Sequence, residues 1–503
     1  MATEFRSIED AVRGIEQSTY EIQTESRLVY SGLKREQNIA EVLKKYAWLY
    51  NSETVQRVEE TYRAETNPEN KERLRRIYYY LLEGYLGQKT APQEDELVSF
   101  EAGATVEVDG ERIPYHNVPV LIAGEPDFER RTRLLEASLG IVEVTNPKRL
   151  EILRASLATL ADEFGHANYT AYNAEKQRID YSLLRSRLEN FLSGTEETYA
   201  ALMGRWVEET TGRRLGEIGS HPFSYISRVP QYDEYFRKDG LLGTYERTLS
   251  GLSLDPASQK NIHIDKEERA TKNPRARCYA PDPPEEVHLL IKPVGGQEDY
   301  MAFFHEAGHA QHFGNEDPTL DYIERAVSTS YALTEVYSFL LEHLTQNRAW
   351  LTGVVGLPEV TAREVAYHAG LTELFFVRRY AAKLAYELDF FEVPLAEGRN
   401  RRLYTTTLSA ATHFVYTPQN YLNDMDPGYY SADYLRAWIT EAMLRRNLEE
   451  SYGEDWFACP EAGELLRGLW ATGEKKENED VARAIGCKPF DTSYLVEQFL
   501  GLA

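Results

Sequence analysis

The most chemically distinctive segment of the sequence is FFHEAGHAQHFGN, residues 303–315, which places three histidines and one glutamate within eight positions. On an α-helix, His305 and His309 lie one turn apart and about 40° from each other around the axis. Two imidazoles so placed can bind one metal ion, and His-x-x-x-His with glutamate after the first histidine is typical of zinc peptidases. The segment therefore predicts a metal-binding helix that holds one Zn²⁺ per chain.

Glu306 follows the first histidine and points about 100° away from it on a helix, so we do not expect it to bind the metal. Zinc with three protein ligands keeps one position for water and lowers the pKa of that water towards 7. A carboxylate beside the water can take its proton during attack on a peptide carbonyl and pass it to the leaving amine. We therefore predict Glu306 as the general base.

The alternative is a buried helix whose histidines are incidental. The helix is bounded by Gly295-Gly296 and by Gly314-Asn315, and the residues between them are apolar nearly all round: Met301, Ala302, Phe303, Phe304, Ala307, Ala310 and Phe313. Buried histidines and a buried glutamate are costly unless they coordinate or hydrogen-bond something, which favours ligation. Gly308 lowers helix propensity by about 1 kcal/mol, so we expect another element to pack closely there. We expect His312, one turn past His309, to have a packing or outer-shell role.

A third ligand is needed to complete a zinc site. Glu335 lies in the apolar helical run ALTEVYSFLLE, where a buried carboxylate needs a positive partner, and we predict it as that ligand. Glu324 stands beside Arg325 and is typical of a solvated or ion-paired position. Glu342 lies about 10 Å beyond Glu335 along the helix axis, too far to bind the same ion. Ser338, one turn after Glu335, can hydrogen-bond a ligand from outside.

FHEAGHAQH followed by TEVYSFLLE thirty residues later resembles the thimet oligopeptidase and oligoendopeptidase F family of zinc peptidases. The resemblance covers about residues 275–503 and is most specific in the metal motif. It implies His305, His309 and Glu335 as zinc ligands and Glu306 as general base. It also implies an elongated, nearly all-helical fold, in which a deep central channel holds the zinc site and a small β-sheet lies beside the active-site helix.

The segment NYLNDMDPGYYSADYLRAWITE, residues 420–441, is similar to the tyrosine-rich C-terminal segment of that family. The resemblance aligns Tyr430 and Tyr434 with its first two tyrosines and implies that such residues stabilise the oxyanion. Leu435 and Ala437 replace two further family tyrosines, and Met425 replaces a frequent histidine. The oxyanion role is therefore expected to move to Tyr430, with Tyr421 or His413 as substitutes. The alternative for each tyrosine is an ordinary core or surface aromatic.

A short β-prone run, EEVHLLIKPVGG at residues 285–296, directly precedes the histidine helix. A strand there can pair with an extended substrate backbone, and His288 on it then becomes a candidate substrate-binding residue. The alternative is a strand that only packs against the helix. The remaining histidines, which have no ligand-like spacing, are expected to be structural: His116, His166, His221, His263, His343 and His368.

The elements around these segments are mostly helices with three- and four-residue apolar spacing, so we predict a mainly α fold. Residues 104–115 alternate around Asp109-Gly110 and predict a small β-hairpin. Residues 252–284 are polar and proline-rich and predict a functional loop or linker. We expect a helical N-terminal part over 1–200, forming one channel wall, and a catalytic part over 201–503, in one continuous bilobal fold.

The composition narrows the functional classes. A net charge of −25 argues against nucleic acid as a partner. Three cysteines argue against a disulfide framework. The sequence has no run of about 18 apolar residues, so it predicts no membrane-spanning helix. The polar N-terminus does not resemble a signal peptide. We therefore expect a cytoplasmic protein with neither a membrane nor a nucleic-acid partner; its oligomeric state is not predicted.

Together these features predict a zinc metalloendopeptidase that hydrolyses internal bonds of short oligopeptides. The first alternative is a helical zinc carboxypeptidase, which needs a group to hold the free C-terminus of its substrate. Candidates for that group are Arg277, Lys292, Arg325 and Arg436. The second alternative is a non-catalytic peptide-binding homologue, against which the intact Glu306 argues.

Overall fold

A computed structural model of the chain describes residues 5–220 and 223–503. The protein is mainly helical, with 69% helix and 5% strand, which confirms the predicted fold class. None of the helices in these residues combines the length and the apolar composition needed to cross a membrane. His221, expected to be structural, lies outside the described residues.

The helices and strands in the described residues follow in chain order. The first helices are α1 (Ile8–Tyr30), α2 (Ile39–Lys45), α3 (Ser52–Ala64), α4 (Pro68–Gly103), α5 (Val118–Gly124), α6 (Phe128–Phe164), α7 (Tyr169–Gln177), α8 (Tyr181–Gly194), α9 (Glu196–Thr211), α10 (Phe223–Ile226) and α11 (Leu241–Gly251). The later ones are α12 (Gln297–Gly314), α13 (Tyr322–Ala326), α14 (Ala332–His343), α15 (Arg348–Trp350), α16 (Glu359–Glu392), α17 (Glu397–Thr412), α18 (Tyr430–Tyr452), α19 (Pro460–Trp470), α20 (Asn478–Ala484) and α21 (Ser493–Leu500). The strands are β1 (Thr105–Val108), β2 (Glu111–Pro114), β3 (Ile262–Asp265), β4 (Arg277–Asp282) and β5 (Glu286–Leu290).

The chain forms two compact units, each assembled from three segments. The first contains the described part of Met1–Tyr85 together with Pro230–Tyr367 and Arg436–Tyr494. The second contains the described part of Leu86–Val229 together with His368–Leu435 and Leu495–Ala503. The boundaries between these units fall inside α4, α16, α18 and α21 and between α10 and α11, and the expected parts 1–200 and 201–503 stay a prediction.

In the first unit, helix α12 has the predicted bounds and packs along α14. Gly296 precedes the helix with φ of 99°, and a Cβ there would lie 2.8 Å from the Asp233 carboxylate. A Cβ on Gly308 would lie 2.3 Å from the main-chain oxygen of Tyr337 and 2.5 Å from the Cα of Ser338. The close approach expected at Gly308 is therefore present, and it brings the two helices into contact beside the histidines.

Replacing Gly308 by Ala is expected to destabilise the protein, because the new methyl group meets main-chain atoms of α14 that cannot rotate away. Overpacking of this kind costs about 1–3 kcal/mol, measured as the change in unfolding free energy in denaturant. Gly468 in α19 is the matched control, since a Cβ there has open space around it and alanine favours a helix by roughly 0.5–1 kcal/mol. Equal stability changes in the two variants would contradict the tight α12–α14 contact.

Three strands of the first unit form a sheet in the order β3-β5-β4. β5 pairs in parallel with β3, with Ile262 opposite Val287, and antiparallel with β4, with Cys278 opposite Leu289. The prediction that residues 252–284 are only a loop or linker is therefore wrong, because this segment contains both edge strands. Their polar sequences are permitted because the outer faces of these strands are partly exposed.

In the second unit, the predicted hairpin is confirmed as β1 and β2, with Thr105 opposite Pro114. Asp109 and Gly110 both have positive φ, 54° and 80°, as a tight hairpin turn requires. Apolar side chains of the hairpin, α5 and α6 together form a small core: Val106, Val108, Ile113, Val118, Ile122 and Leu134.

Candidate metal centre

Helices α12 and α14 bring the three predicted ligands together. The Oε2 atom of Glu335 lies 3.4 Å from Nε2 of His305 and 3.7 Å from Nε2 of His309. One nitrogen or oxygen from each residue lies within 4.8 Å of the other two. A tetrahedral ion with ligand bonds of about 2.1 Å separates its ligand atoms by about 3.4 Å. Both distances from Oε2 of Glu335 are therefore close to the spacing of ligand atoms around one zinc ion.

The second ring nitrogen of each histidine is held from outside, and so is the Oε2 atom of Glu335 itself. Nδ1 of His305 lies 2.7 Å from Oε2 of Glu342. Because a carboxylate only accepts, Nδ1 carries a proton and Nε2 is the nitrogen that faces the centre. Nδ1 of His309 lies 2.8 Å from Oγ1 of Thr334. Ser338 donates to Oε2 of Glu335 at 2.9 Å, which confirms the contact predicted for it.

Glu342 and Thr334 contact the predicted ligands, and the sequence did not predict either contact. Glu342 does not belong to the group of converging ligand atoms. It instead reaches the far side of the His305 ring on the neighbouring helix. Thr334 directly precedes Glu335, so its position beside the proposed ligand was the signal that could have identified it.

Replacing Thr334 by Val is expected to weaken zinc binding by about 10–100-fold, the effect of losing a partner that orients a ligand. Valine keeps the shape of the side chain, but it cannot accept the proton of Nδ1 on His309. The control is Thr372→Val. The hydroxyl of Thr372 donates only to the main-chain oxygen of His368 in its own helix. Competition with a chelator measures the affinity, and equal affinities of the two variants would remove Thr334 from the site.

The electrostatics of the cluster favour a cation. Burial alone would lower the pKa of His305, but the Glu342 hydrogen bond and the charge of Glu335 outweigh it and raise that pKa to about 9. Burial, together with the positive charge of His305, holds the pKa of His309 well below its usual range. Glu335 is only 4% exposed. The carboxylates of Glu342 and Glu335 thus favour a positive charge at this buried centre.

Glu306 lies beside this group and does not belong to it. Its Oε2 accepts a hydrogen bond from the main-chain N–H of Cys278 at 2.6 Å, so strand β4 fixes the orientation of the carboxylate. Burial raises the pKa of Glu306, against the opposing charges of His305 and Arg277. A carboxylate with a raised pKa is a better proton acceptor than a solvated one.

His312 is fully buried, and its ring lies 4.8 Å from the ring of Tyr337. Burial lowers its pKa to about 3, so the imidazole is neutral. It is not part of the group of converging ligand atoms. These contacts agree with the packing role expected for it.

Strand β5 cannot pair with a substrate, which corrects the hypothesis made for residues 285–296. It is the central strand of its sheet, and both of its edges are occupied by β3 and β4. Nε2 of His288 lies 2.8 Å from Oε1 of Glu286. The other carboxylate oxygen of Glu286, Oε2, accepts a hydrogen bond from the hydroxyl of Tyr20. His288 therefore belongs to a polar cluster on the sheet. The strand that approaches the metal centre is β4, through Cys278.

The remaining predicted site residues belong to the second unit. Tyr421 is 2% exposed and lies under the guanidinium of Arg401, 4.7 Å from its ring centre; such a side chain offers no surface to a substrate and has a packing role. Nε2 of His413 lies 2.8 Å from Oε1 of Glu196. Tyr430 and Tyr434 are half-buried, and their ring centroids are 4.7 Å apart.

The four candidate cations differ in their surroundings. Arg436 is buried, pairing with Glu479 and donating to Ser330. Arg325 donates to the main-chain oxygen of Pro283 and lies near Asp282. Lys292 is half-buried, whereas Arg277 is exposed and directly precedes Cys278 on β4. Among these four cations, Arg277 is thus the exposed one that lies on β4, the strand that contacts Glu306.

No protein-family model matches the chain and no curated protein matches its sequence.

Proposed function

We propose that this protein is a zinc-dependent metallopeptidase that hydrolyses internal peptide bonds of short oligopeptides. One observation carries the proposal: three ligand atoms from His305, His309 and Glu335 converge on one point, and a separately held carboxylate, Glu306, stands beside them. A purely structural zinc site is closed by four protein ligands. Three ligands with an adjacent base are typical of a hydrolytic site.

When bound, the zinc ion supplies Lewis acidity that activates water and polarises the peptide carbonyl. His305, His309 and Glu335 would hold the ion, and Glu342, Thr334 and Ser338 keep their side chains oriented. Glu306 accepts a proton on its carboxylate as the carbonyl is attacked and donates it to the leaving amine. The Cys278 N–H keeps that carboxylate in place through the proton transfer.

Strand β4 is the proposed support for the substrate backbone. The Cys278 N–H donates to Glu306, so it is not used in the pairing of β4 with β5, and this side of β4 faces the centre. An extended peptide that adds along such an edge is bound through its main chain, which accommodates many sequences. The oxyanion role expected for Tyr430 stays a prediction.

The proposal agrees with the resemblance to the thimet oligopeptidase and oligoendopeptidase F family, whose channelled helical fold would exclude folded proteins. Metal analysis of the purified protein, together with a peptide-library digest read by mass spectrometry, tests it. We expect one zinc per chain and internal cleavage of short peptides. A protein with no zinc, or with zinc and no cleavage of any peptide, would contradict the proposal.

A carboxypeptidase remains the second candidate, favoured by Arg277. This exposed cation directly precedes the strand residue that contacts Glu306, and a cation near a peptidase centre can hold a substrate carboxylate. Peptides blocked at the N-terminus or at the C-terminus separate the two. An endopeptidase cleaves both peptides, whereas a carboxypeptidase spares the one whose C-terminus is blocked.

A further inference from the structure

Strand β4 carries an exposed cation next to the residue that holds the proposed base. Arg277 directly precedes Cys278, whose main-chain N–H donates to Oε2 of Glu306 at 2.6 Å. These three residues and the three proposed zinc ligands all belong to the first unit. The cation is thus one residue away from the main-chain contact that orients Glu306.

Arg277 shares its face of the sheet with two tyrosines. Consecutive side chains of a strand point to opposite faces, so Arg277 and Tyr279 lie on the face opposite to the side chain of Cys278. Tyr30, the last residue of α1, packs on Tyr279, with its ring centroid 5.9 Å away in an edge-to-face arrangement. Two phenol rings therefore flank the guanidinium on this face of β4.

Main-chain contacts fix the end of α1 against the segment that leads into β4. The N–H of Asn273 donates to the main-chain oxygen of Tyr30 at 2.9 Å. Gly32 has a φ of 71°, and a Cβ there would lie 2.6 Å from the main-chain nitrogen of Lys272. This close approach needs a glycine, and it holds Tyr30 in place beside the strand.

The charges of Arg277 and Glu306 both act on the two tyrosines. Burial raises the pKa of Tyr30, while the guanidinium opposes this change and the carboxylate adds to it. Burial also raises the pKa of Tyr279 to about 12, and the same two charges act on it in the same directions. Both phenol groups thus lie near both charges, and both keep their proton at neutral pH.

A peptide that adds along the edge of β4 directs its side chains alternately to the two faces of the sheet. Side chains on the face of Arg277 meet a guanidinium and two hydroxyls, which are groups that donate hydrogen bonds to a carboxylate. We propose that Arg277, flanked by Tyr30 and Tyr279, is a specificity-determining residue that selects an acidic side chain at one position of the substrate. This inference rests on the proposed peptidase function.

Peptides blocked at both ends, in which one glutamate is moved residue by residue through a neutral sequence, test the proposal against matching glutamine peptides. The blocked ends leave the glutamate side chain as the only carboxylate, which separates its recognition from that of a free C-terminus. We expect kcat/KM to be about fivefold higher for glutamate at one position, the upper range for an exposed ion pair. We expect no preference at the two adjacent positions, whose side chains face the other way.

Arg277→Met is expected to abolish this preference, because methionine keeps the apolar part of the side chain without its charge. Each ratio compares two peptides on the same enzyme, so an effect of the lost charge on Glu306 cancels. Arg277→Glu is expected to favour lysine over glutamate at the same position. The control is Lys266→Met, which removes an exposed cation directly after β3, at the far edge of the sheet, and is expected to keep the wild-type preference.

Equal kcat/KM for the glutamate and glutamine peptides in an active wild type would overturn the inference alone and leave Arg277 only its effect on Glu306. A preference that persists in Arg277→Met, or one that is lost equally in Lys266→Met, would also overturn it. Cleavage only of peptides with a free C-terminus would overturn both this inference and internal cleavage. A wild type that cleaves no peptide would overturn the peptidase function and this inference with it.

Discussion

Replacing Glu306 by Gln is expected to leave one zinc ion bound per chain while kcat falls by about 10²–10⁴-fold, the usual contribution of a general base. Glutamine keeps the size of the side chain and can still accept the Cys278 N–H through its amide oxygen. It cannot accept the proton that must leave the attacking water. Because Glu306 does not belong to the group of ligand atoms, metal content is expected to be unaffected.

The matched control is Glu298→Gln, which removes an exposed carboxylate from the first turn of the same helix. Both variants lose one negative charge from α12, so an effect of charge alone would appear in both. Steady-state kinetics on one internally cleaved peptide, with metal analysis of the same samples, gives the comparison. Wild-type turnover in Glu306→Gln would remove Glu306 as the base.

The local part of the site could be read from the sequence because it depends on helix geometry alone. His305 and His309 share a face through their spacing, and Gly308 between them signals a close neighbour. Glu335 could be chosen because a carboxylate in an apolar helix needs a positive partner. The structure places all three ligand atoms together and puts α14 against Gly308.

The sheet could not be read in the same way, because strand order depends on pairing between distant segments. Strand β5 has an apolar sequence, which indicates a strand but does not say whether it lies at an edge or in the centre. Its neighbours β3 and β4 are short and polar, and they lie in a segment whose prolines and charges are typical of a loop. We therefore propose β4 rather than β5 as the strand beside the substrate, because its Cys278 N–H donates to Glu306.

The tyrosine segment shows a second limit, since an aromatic residue has the same sequence signature in a core and in a site. Tyr421 and Tyr429 are buried, whereas Tyr430 and Tyr434 are only half-buried. The difference arises from contacts with α7, α16 and α17, which are far away in sequence.

Replacing Glu335 by Ala is expected to weaken zinc binding by more than the roughly 100-fold that loss of an outer partner can cost, because it removes a ligand itself. Two histidines remain, and neither Glu324 nor Glu342 replaces the lost oxygen: Glu324 pairs with Lys475 at 2.9 Å, and Glu342 holds Nδ1 of His305. Dialysis against a chelator followed by metal analysis is expected to leave the variant without zinc while the wild type keeps one ion per chain.

Thermal unfolding gives a second readout of Glu335 that does not depend on activity. A ligand that binds only the folded state stabilises it by RT ln(1 + [L]/Kd), about 2.7 kcal/mol at 100 times Kd. Added zinc is therefore expected to raise the melting temperature of the wild type and of Glu324→Ala, the control, but to have little effect on Glu335→Ala. Stoichiometric zinc in Glu335→Ala after dialysis would assign the third ligand to another carboxylate. If zinc no longer raised the melting temperature of Glu324→Ala, Glu324 would be that ligand.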